Sequence, residues 1–107
     1  MTVFPLGLHR PVEHAGPLPE TADVVIIGGG VIGVMTAYYL AEKGLRPVVL
    51  EKGRVAAEQS SRNWGWVRQQ GRDPAELPIM MEANRLWTQL AAEVGEDLGL
   101  KQCGLTY

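Results

Sequence analysis

The chain has 107 residues, 46% of them hydrophobic and 21% charged, and its net charge is −2. This composition is ordinary for a globular protein, and the length predicts one small domain or part of a larger one. The slightly negative charge gives no reason to expect nucleic acid or an anionic membrane surface as a partner. A single cysteine, Cys103, excludes an internal disulfide and favours a soluble, cytoplasmic protein.

Residues 1–22 form a lead-in that contains four prolines, Pro5, Pro11, Pro17 and Pro19. Because proline fixes φ and has no N–H to donate, we expect an irregular N-terminal arm. The arm lacks the continuous apolar core of a secretory signal, and no apolar run in the chain is long enough to predict a transmembrane segment. Its two histidines have no cysteine, histidine or acid at metal spacing nearby, so we predict no metal site.

Residues 23–51 have the layout of a strand, a glycine turn, a helix and a second strand. The run Val24 to Ile27 does not alternate, which predicts a strand buried on both faces, as in a parallel sheet. A well-buried helix is predicted from Val31 to about Lys43, and residues 48–50 form the second buried strand. The fold class is therefore α/β, with a right-handed, Rossmann-like βαβ unit and a parallel sheet.

The glycines between the first strand and the helix are spaced as in a dinucleotide-binding turn. Gly28 permits the tight turn, a side chain at Gly30 would block a pyrophosphate, and Gly33 lets the helix pack closely on the sheet. The helix N-terminus, at Val31 and Ile32, presents unpaired N–H groups and a partial positive charge to phosphate.

Glu51 ends the second strand, about twenty residues after the glycine turn, where a carboxylate accepts hydrogen bonds from ribose hydroxyls. A ribose 2′-phosphate would be repelled there, so an NADP-type ligand is disfavoured. FAD and NAD share the ADP moiety, and the βαβ unit alone does not distinguish them.

The remaining residues predict a loop, a helix and the start of a strand. Residues 52–71 show no periodicity, and a loop of this length in a compact domain is functional or disordered. Trp64 and Trp66 argue against disorder, and either line a pocket or anchor the loop to the core. Apolar residues then recur at helical spacing, with Pro78 in the first turn and Gly95 at the end. Residues 100–107 have the pattern of a strand.

Three motifs together resemble the D-amino-acid oxidase superfamily, which includes D-amino-acid dehydrogenases and glycine and sarcosine oxidases. They are Gly28-Gly29-Gly30, Glu51-Lys52 and Ser60-Ser61-Arg62-Asn63-Trp64-Gly65. The resemblance runs from about Asp23 to the chain end and implies FAD as the cofactor. It further implies that Lys52 lies beside the cofactor with Glu51, that Ser60 and Ser61 hold the pyrophosphate, that Arg62 and Asn63 lie near the flavin, and that the backbone of Gly65 approaches the ring.

The resemblance also implies an activity, the oxidation of a C–N bond in an amine or amino acid by hydride transfer to flavin. The reduced flavin then passes electrons to oxygen or to an electron-transfer carrier. Proteins of this superfamily are several times longer, so we expect an N-terminal fragment, incomplete and inactive alone, and name no catalytic residue. We expect an arm over 1–22, an FAD-binding domain over 23–99 and the first strand of a substrate domain over 100–107.

Two alternatives stay open at this point. One is a fragment of an NAD-dependent dehydrogenase, against which the Ser-Ser-Arg-Asn segment argues. The other is a dinucleotide-binding module without catalytic activity, or a truncated product that binds nothing stably.

Overall fold

The computed structural model describes residues 7–95, 97–104 and 106. Its elements are strand β1 (Val24–Ile27), helix α1 (Val31–Glu42), strand β2 (Pro47–Leu50), a short 3₁₀ turn (Gln59–Ser61) and helix α2 (Leu77–Val94). The chain divides into two compact units, the first ending at Trp64 and the second beginning at Gly65. The predicted α/β order of elements is confirmed.

The first unit contains the two-stranded parallel sheet. Val24 of β1 lies opposite Pro47 of β2, and Ile27 lies opposite Leu50. The N–H of Gly28 continues the ladder by donating to the carbonyl of Leu50 over 2.8 Å. Helix α1 is the crossover between the strands, and it ends at Lys43 and Gly44 as the sequence predicts.

Asp23 and Arg46, which directly precede β1 and β2, link the N-terminal ends of the two strands. The backbone N–H of Asp23 donates to the carbonyl of Arg46 over 2.9 Å. The carboxylate of Asp23 in turn accepts the backbone N–H of Arg46 at 2.7 Å and two guanidinium N–H groups at 3.2 and 3.1 Å. The bonds from the Arg46 side chain, followed by its backbone bond, lower the pKa of Asp23. The bonds between Asp23 and Arg46 therefore fix the register of the two strands at their N-terminal ends.

Burial of the sheet on both faces, predicted from the sequence, is wrong for this chain. Along β1 half-buried and exposed residues alternate, and the side chains of Val25 and Ile27 are 58% and 89% exposed. Helix α1 covers the face that carries Ile26, because a Cβ on Gly33 would lie 3.3 Å from the Ile26 side chain. No described element of the first unit covers the opposite face. Helix α1 also has no buried residue, contrary to the prediction of a well-buried helix.

The second unit is organised on helix α2. Pro78 lies in its first turn, and Gly95 ends it in the left-handed conformation, with φ of 70°. The predicted amphipathic pattern is confirmed, since Met80, Leu86 and Trp87 are half-buried. On the exposed face Arg85 bonds Glu82, and further bonds join Arg85 to Gln89 and Gln89 to Glu93.

The two ends of the chain carry no regular structure where they are described. Residues 7–22 contain neither helix nor strand, and residues 1–6 lie outside the described residues. The arm over 1–22 as a separate part of the chain stays a prediction. Residues 100–104 and 106 form no strand, contrary to the prediction, because the described part of the second unit offers no neighbouring strand with which to pair. Leu105 and Tyr107 lie outside the described residues. Among the described helices, none is long and apolar enough to cross a membrane.

Candidate functional site

The glycine turn lies at the carboxyl end of β1 and is shaped by its lack of side chains. Gly28 leaves the strand with φ of 105°, a conformation that L side chains rarely adopt. At Gly33 a Cβ would lie 2.0 Å from the carbonyl oxygen of Gly28. The close packing predicted at Gly33 is thus confirmed, and it holds the first turn of α1 against the end of β1.

The carboxylate of Glu51 is bound to the backbone on both sides. Its Oε2 accepts the N–H of buried Gly29 at 2.8 Å, and its Oε1 accepts the N–H of Gly53 at 2.8 Å. These two bonds, the one from Gly29 foremost, hold the pKa of Glu51 below its usual range. The exposed Lys52 adds a smaller electrostatic contribution in the same direction. An ionised carboxylate with unused lone pairs therefore lies beside the glycine turn, as a ribose site requires.

The N-terminus of α1 receives a side chain from a distant loop. Gly30 caps the helix without a side chain of its own. The N–H of Val31 donates to Oγ of Ser60 over 2.8 Å, and a Cβ on Gly30 would lie 3.0 Å from that oxygen. The missing side chain at Gly30 therefore leaves room for a hydroxyl at the helix N-terminus. Ile32 in the same turn is 80% exposed.

The other polar residues predicted near the cofactor form bonds within the loop. Ser61 donates its hydroxyl to the carbonyl of Ala56. Arg62 forms an ion pair with Glu58, and the amide of Asn63 donates to the carbonyl of Ser60. Gly65, with φ of 73°, belongs to the second unit. The cofactor contacts of these four predicted residues stay predictions.

Ala56 is a residue of this site that sequence reasoning missed. Its φ is 61°, in the left-handed region that favours glycine, and its N–H donates to the carbonyl of Gly29 over 2.9 Å. Its neighbour Ala57 is buried. The loop after β2 is therefore bound to the glycine turn both through Ala56 and through Glu51. A single sequence does not reveal which alanine adopts a left-handed conformation.

Arg54 is a second residue that the sequence did not indicate. Its side chain is 11% exposed, and its Nη2 forms an ion pair of 2.5 Å with Glu13 of the arm. Its Nε and Nη1 are buried and lack a hydrogen-bond partner within the described residues. Leu8 of the arm also reaches this turn, since a Cβ on Gly53 would lie 3.0 Å from its Cδ2. The arm therefore packs against the loop that follows Glu51.

The two tryptophans of the loop differ in their surroundings. Trp64, at the end of the first unit, is 82% exposed. Trp66, in the second unit, lines a cavity of about 510 Å³ together with Trp87 of α2 and residues 99–104. Trp64 does not anchor the loop in a core. No cluster of three metal-ligating side chains occurs within the described ranges.

The residues around the glycine turn combine two kinds of polar group. Backbone N–H groups and the positive end of α1 lie on one side, and an ionised carboxylate lies on the other. The first group suits phosphate and the second suits ribose hydroxyls, so the arrangement matches the ADP portion of a dinucleotide.

Comparison with known sequences agrees with this geometry. Residues 23–107 match the family described as FAD dependent oxidoreductase, DAO. The chain is 39% identical over 100 residues to the sarcosine oxidase subunit beta of Arthrobacter sp, with 91% of this chain and 25% of the relative covered. It is 35% identical over 92 residues to the mitochondrial pyruvate dehydrogenase phosphatase regulatory subunit of Mus musculus, with 85% of this chain and 10% of the relative covered.

Solved structures are similar over the same region. The L-amino acid deaminase from Proteus myxofaciens, in complex with anthranilate, is 39% identical with a TM-score of 0.76, and the match covers 87% of this chain and 20% of the deaminase. The L-amino acid deaminase from Proteus vulgaris is 38% identical with a TM-score of 0.74, over 85% of this chain and 21% of the deaminase. The chain thus spans a quarter or less of these relatives. Its glycine turn, its fold and its sequence together establish that it belongs to the DAO family of FAD-dependent oxidoreductases.

Proposed function

We propose that this chain is the FAD-binding portion of an enzyme that oxidises the C–N bond of an amine or amino acid. The observation that carries the proposal is the meeting of Gly29, Glu51 and the N-terminus of α1 at one edge of the sheet, in a chain that matches the DAO family over residues 23–107. Relatives named as acting on sarcosine and on L-amino acids support the substrate class.

Each group of the site has a task in this proposal. Glu51 accepts the hydroxyls of the adenosine ribose, and its two backbone bonds keep it ionised and oriented. The N–H of Ile32 binds the pyrophosphate together with the hydroxyl of Ser60, whose oxygen accepts the N–H of Val31 and so places it at the helix N-terminus. When bound, FAD supplies the redox chemistry by accepting a hydride from the substrate. Oxygen or an electron-transfer carrier would then receive the electrons, and the single cysteine favours a cytoplasmic location.

The family match favours FAD over NAD, and binding of each nucleotide tests this directly. We expect the purified protein to bind FAD, with visible flavin absorbance after gel filtration, and ADP to compete because it shares the ribose and pyrophosphate contacts. A colourless protein that binds NAD instead would overturn the proposal.

Substitution of Gly30 tests the phosphate side of the site. We expect Gly30→Val to abolish FAD binding, because the added side chain would crowd Oγ of Ser60 and the space in front of the Val31 N–H. Equilibrium titration with FAD measures the effect. The control is Gly16→Val, since a Cβ on Gly16 meets nothing within 4 Å. Retained FAD binding in Gly30→Val would refute this role for Gly30.

One relative supports a second candidate function. The mouse protein is named as a regulatory subunit of a phosphatase, and this chain is 35% identical to it. A dinucleotide-binding module without catalytic activity is therefore the alternative to the enzyme. Because we expect this chain to be inactive alone, substrate-dependent bleaching of bound flavin is assayed in the full-length protein that contains it. Only an enzyme would reduce its flavin when an amine or amino acid is added.

A further inference from the structure

The loop between β2 and the 3₁₀ turn contains a strained residue at its centre. Ala56 has φ of 61°, whereas an alanine without constraints avoids the left-handed region because its Cβ approaches the following carbonyl. Such a conformation persists only where the surroundings determine it from more than one side. At Ala56 the surroundings do so through both of its backbone polar groups.

The backbone N–H and the backbone carbonyl of Ala56 both form hydrogen bonds with residues of the candidate site. Its N–H donates to the carbonyl of Gly29 over 2.9 Å. Its carbonyl accepts the hydroxyl of Ser61. Gly29 is buried and donates its own N–H to Glu51 over 2.8 Å. Ala56 therefore connects the ribose side of the site with the segment that carries the two serines.

The two adjacent serines make different bonds. Oγ of Ser60 accepts the N–H of Val31 at the N-terminus of α1, where phosphate is expected. Oγ of Ser61 instead bonds backward to Ala56, five residues earlier. Equal roles for both serines on the pyrophosphate, as the family resemblance implies, do not follow from this geometry.

We propose that Ser61 and Ala56 are positioning residues of the dinucleotide site, and that Ser61 acts through the carbonyl of Ala56 rather than on the ligand itself. The hydroxyl of Ser61 holds Ala56 in its left-handed conformation. That conformation fixes the separation between the Gly29–Glu51 side of the site and Ser60. The identity of the ligand rests on the function proposed above, whereas the contact between Ser61 and Ala56 does not.

A double-mutant cycle on FAD affinity tests the proposal, with the variants Ser61→Ala, Ala56→Gly and their combination. We expect Ser61→Ala to weaken FAD binding about tenfold, the effect of one lost hydrogen bond. Glycine adopts a positive φ without strain, so in the Ala56→Gly background we expect Ser61→Ala to weaken binding by no more than about threefold. An equal loss in both backgrounds, or no loss in either, would overturn the proposal.

Two further variants separate positioning from a direct contact. Ser61→Thr keeps the hydroxyl, and we expect it to restore most of the FAD affinity that Ser61→Ala loses. Ser60→Ala serves as the matched control from the neighbouring position. Because Ser60 bonds Val31 whereas Ser61 bonds Ala56, the effect of Ser60→Ala on FAD affinity should change less between alanine and glycine at position 56 than the effect of Ser61→Ala. Coupling of Ser60 with Ala56 as strong as that of Ser61 would contradict the distinct roles.

Hydrogen exchange in the absence of FAD tests the contact independently of the ligand. We expect the amide of Ala56 to be protected in the wild-type protein and to exchange about tenfold faster in Ser61→Ala, as the loop opens more often. Unchanged exchange would overturn the proposal even if FAD binds. If the wild-type protein binds no FAD, the proposed function fails, and the exchange rates still decide whether Ser61 holds Ala56.

Discussion

At the residue scale, the carboxylate of Glu51 shows how one side chain joins three segments. It accepts the N–H groups of Gly29 and Gly53, each at 2.8 Å, and so connects the glycine turn with the end of β2 and the loop that follows. Because the carboxylate accepts these bonds best when it is ionised, they lower its pKa. A lowered pKa in the folded state makes stability depend on pH.

The sign of this dependence follows from the direction of the shift. The stabilisation by Glu51 is fully present above the ordinary glutamate pKa, about 4.3, and is lost as the pH falls through the lowered value. We expect Glu51→Gln to lower the melting temperature near pH 7, and the difference from the wild-type protein to shrink below about pH 4. Thermal unfolding across this pH range measures it. Glu42→Gln, at the exposed end of α1, is the control, and a difference that grows in acid would contradict the prediction.

Arg54 leads to a different residue-scale prediction. Its Nε and Nη1 are buried without partners among the described residues, so they lost hydration without gaining hydrogen bonds. We expect Arg54→Met to leave the free energy of unfolding unchanged or to raise it by about 1 kcal/mol, since methionine fills similar space without unsatisfied donors. Urea denaturation measures it, with exposed Arg62→Met as the control. A loss of stability of about 2 kcal/mol or more would show that the Glu13 ion pair outweighs the cost.

At the element scale, the packing of α1 on the strands depends on Gly33. A Cβ there would lie 2.0 Å from the carbonyl oxygen of Gly28, well inside van der Waals contact. Since that atom is backbone, either the turn or the helix must shift to admit a side chain. The helix and the glycine turn therefore behave as one piece.

We expect Gly33→Ala to destabilise the fold by roughly 1–3 kcal/mol, the usual cost of overpacking. Chemical denaturation monitored by circular dichroism measures it. Gly16→Ala is the matched control, because Gly16 lies in the arm and a Cβ there has no neighbour within 4 Å. Similar stabilities of the two variants would show that the turn relaxes without cost.

At the scale of the whole molecule, the described part of the chain has little core. Within the described part of the chain, Gly29 and Ala57 are the residues classed as buried, and both lie at the candidate site. In the first unit one face of the sheet packs on α1, and the other exposes Val25 and Ile27. The best-packed region of the first unit is therefore the glycine turn and the loop bound to it, where the dinucleotide site is proposed.

The two faces of β1 predict different responses to the same substitution. We expect Ile27→Thr to change the free energy of unfolding by less than about 0.5 kcal/mol, because Ile27 is 89% exposed. Ile26→Thr, under α1, should cost roughly 1–2 kcal/mol through lost apolar contact. Parallel urea titrations of the two variants make the comparison. Equal losses would show that both faces are covered in solution.

Much of the local structure could be predicted from the sequence. The bounds of β1, the glycine turn and both helices follow from β-branched runs, helical spacing and the stops at Gly44 and Gly95, since these signals are local. Membership of the DAO family of FAD-dependent oxidoreductases could be predicted from motifs at Gly28–Gly30, Glu51 and Ser60–Gly65. The burial predicted for β1 and α1 was wrong. The apolar pattern of an element shows which of its faces could be buried, but not whether another element covers that face.

By itself the sequence determined the order of elements, the glycine spacing and the acid after β2, all of which depend on neighbours along the chain. Only the tertiary structure decided which groups meet. Ser60 reaches Val31 across 29 positions, Ala56 adopts a left-handed conformation against Gly29, and Ser61 turns to Ala56 rather than to α1. The physical reason is that a hydroxyl or a backbone N–H bonds whichever acceptor or donor the fold brings within about 3 Å, and spacing along the chain does not encode that choice.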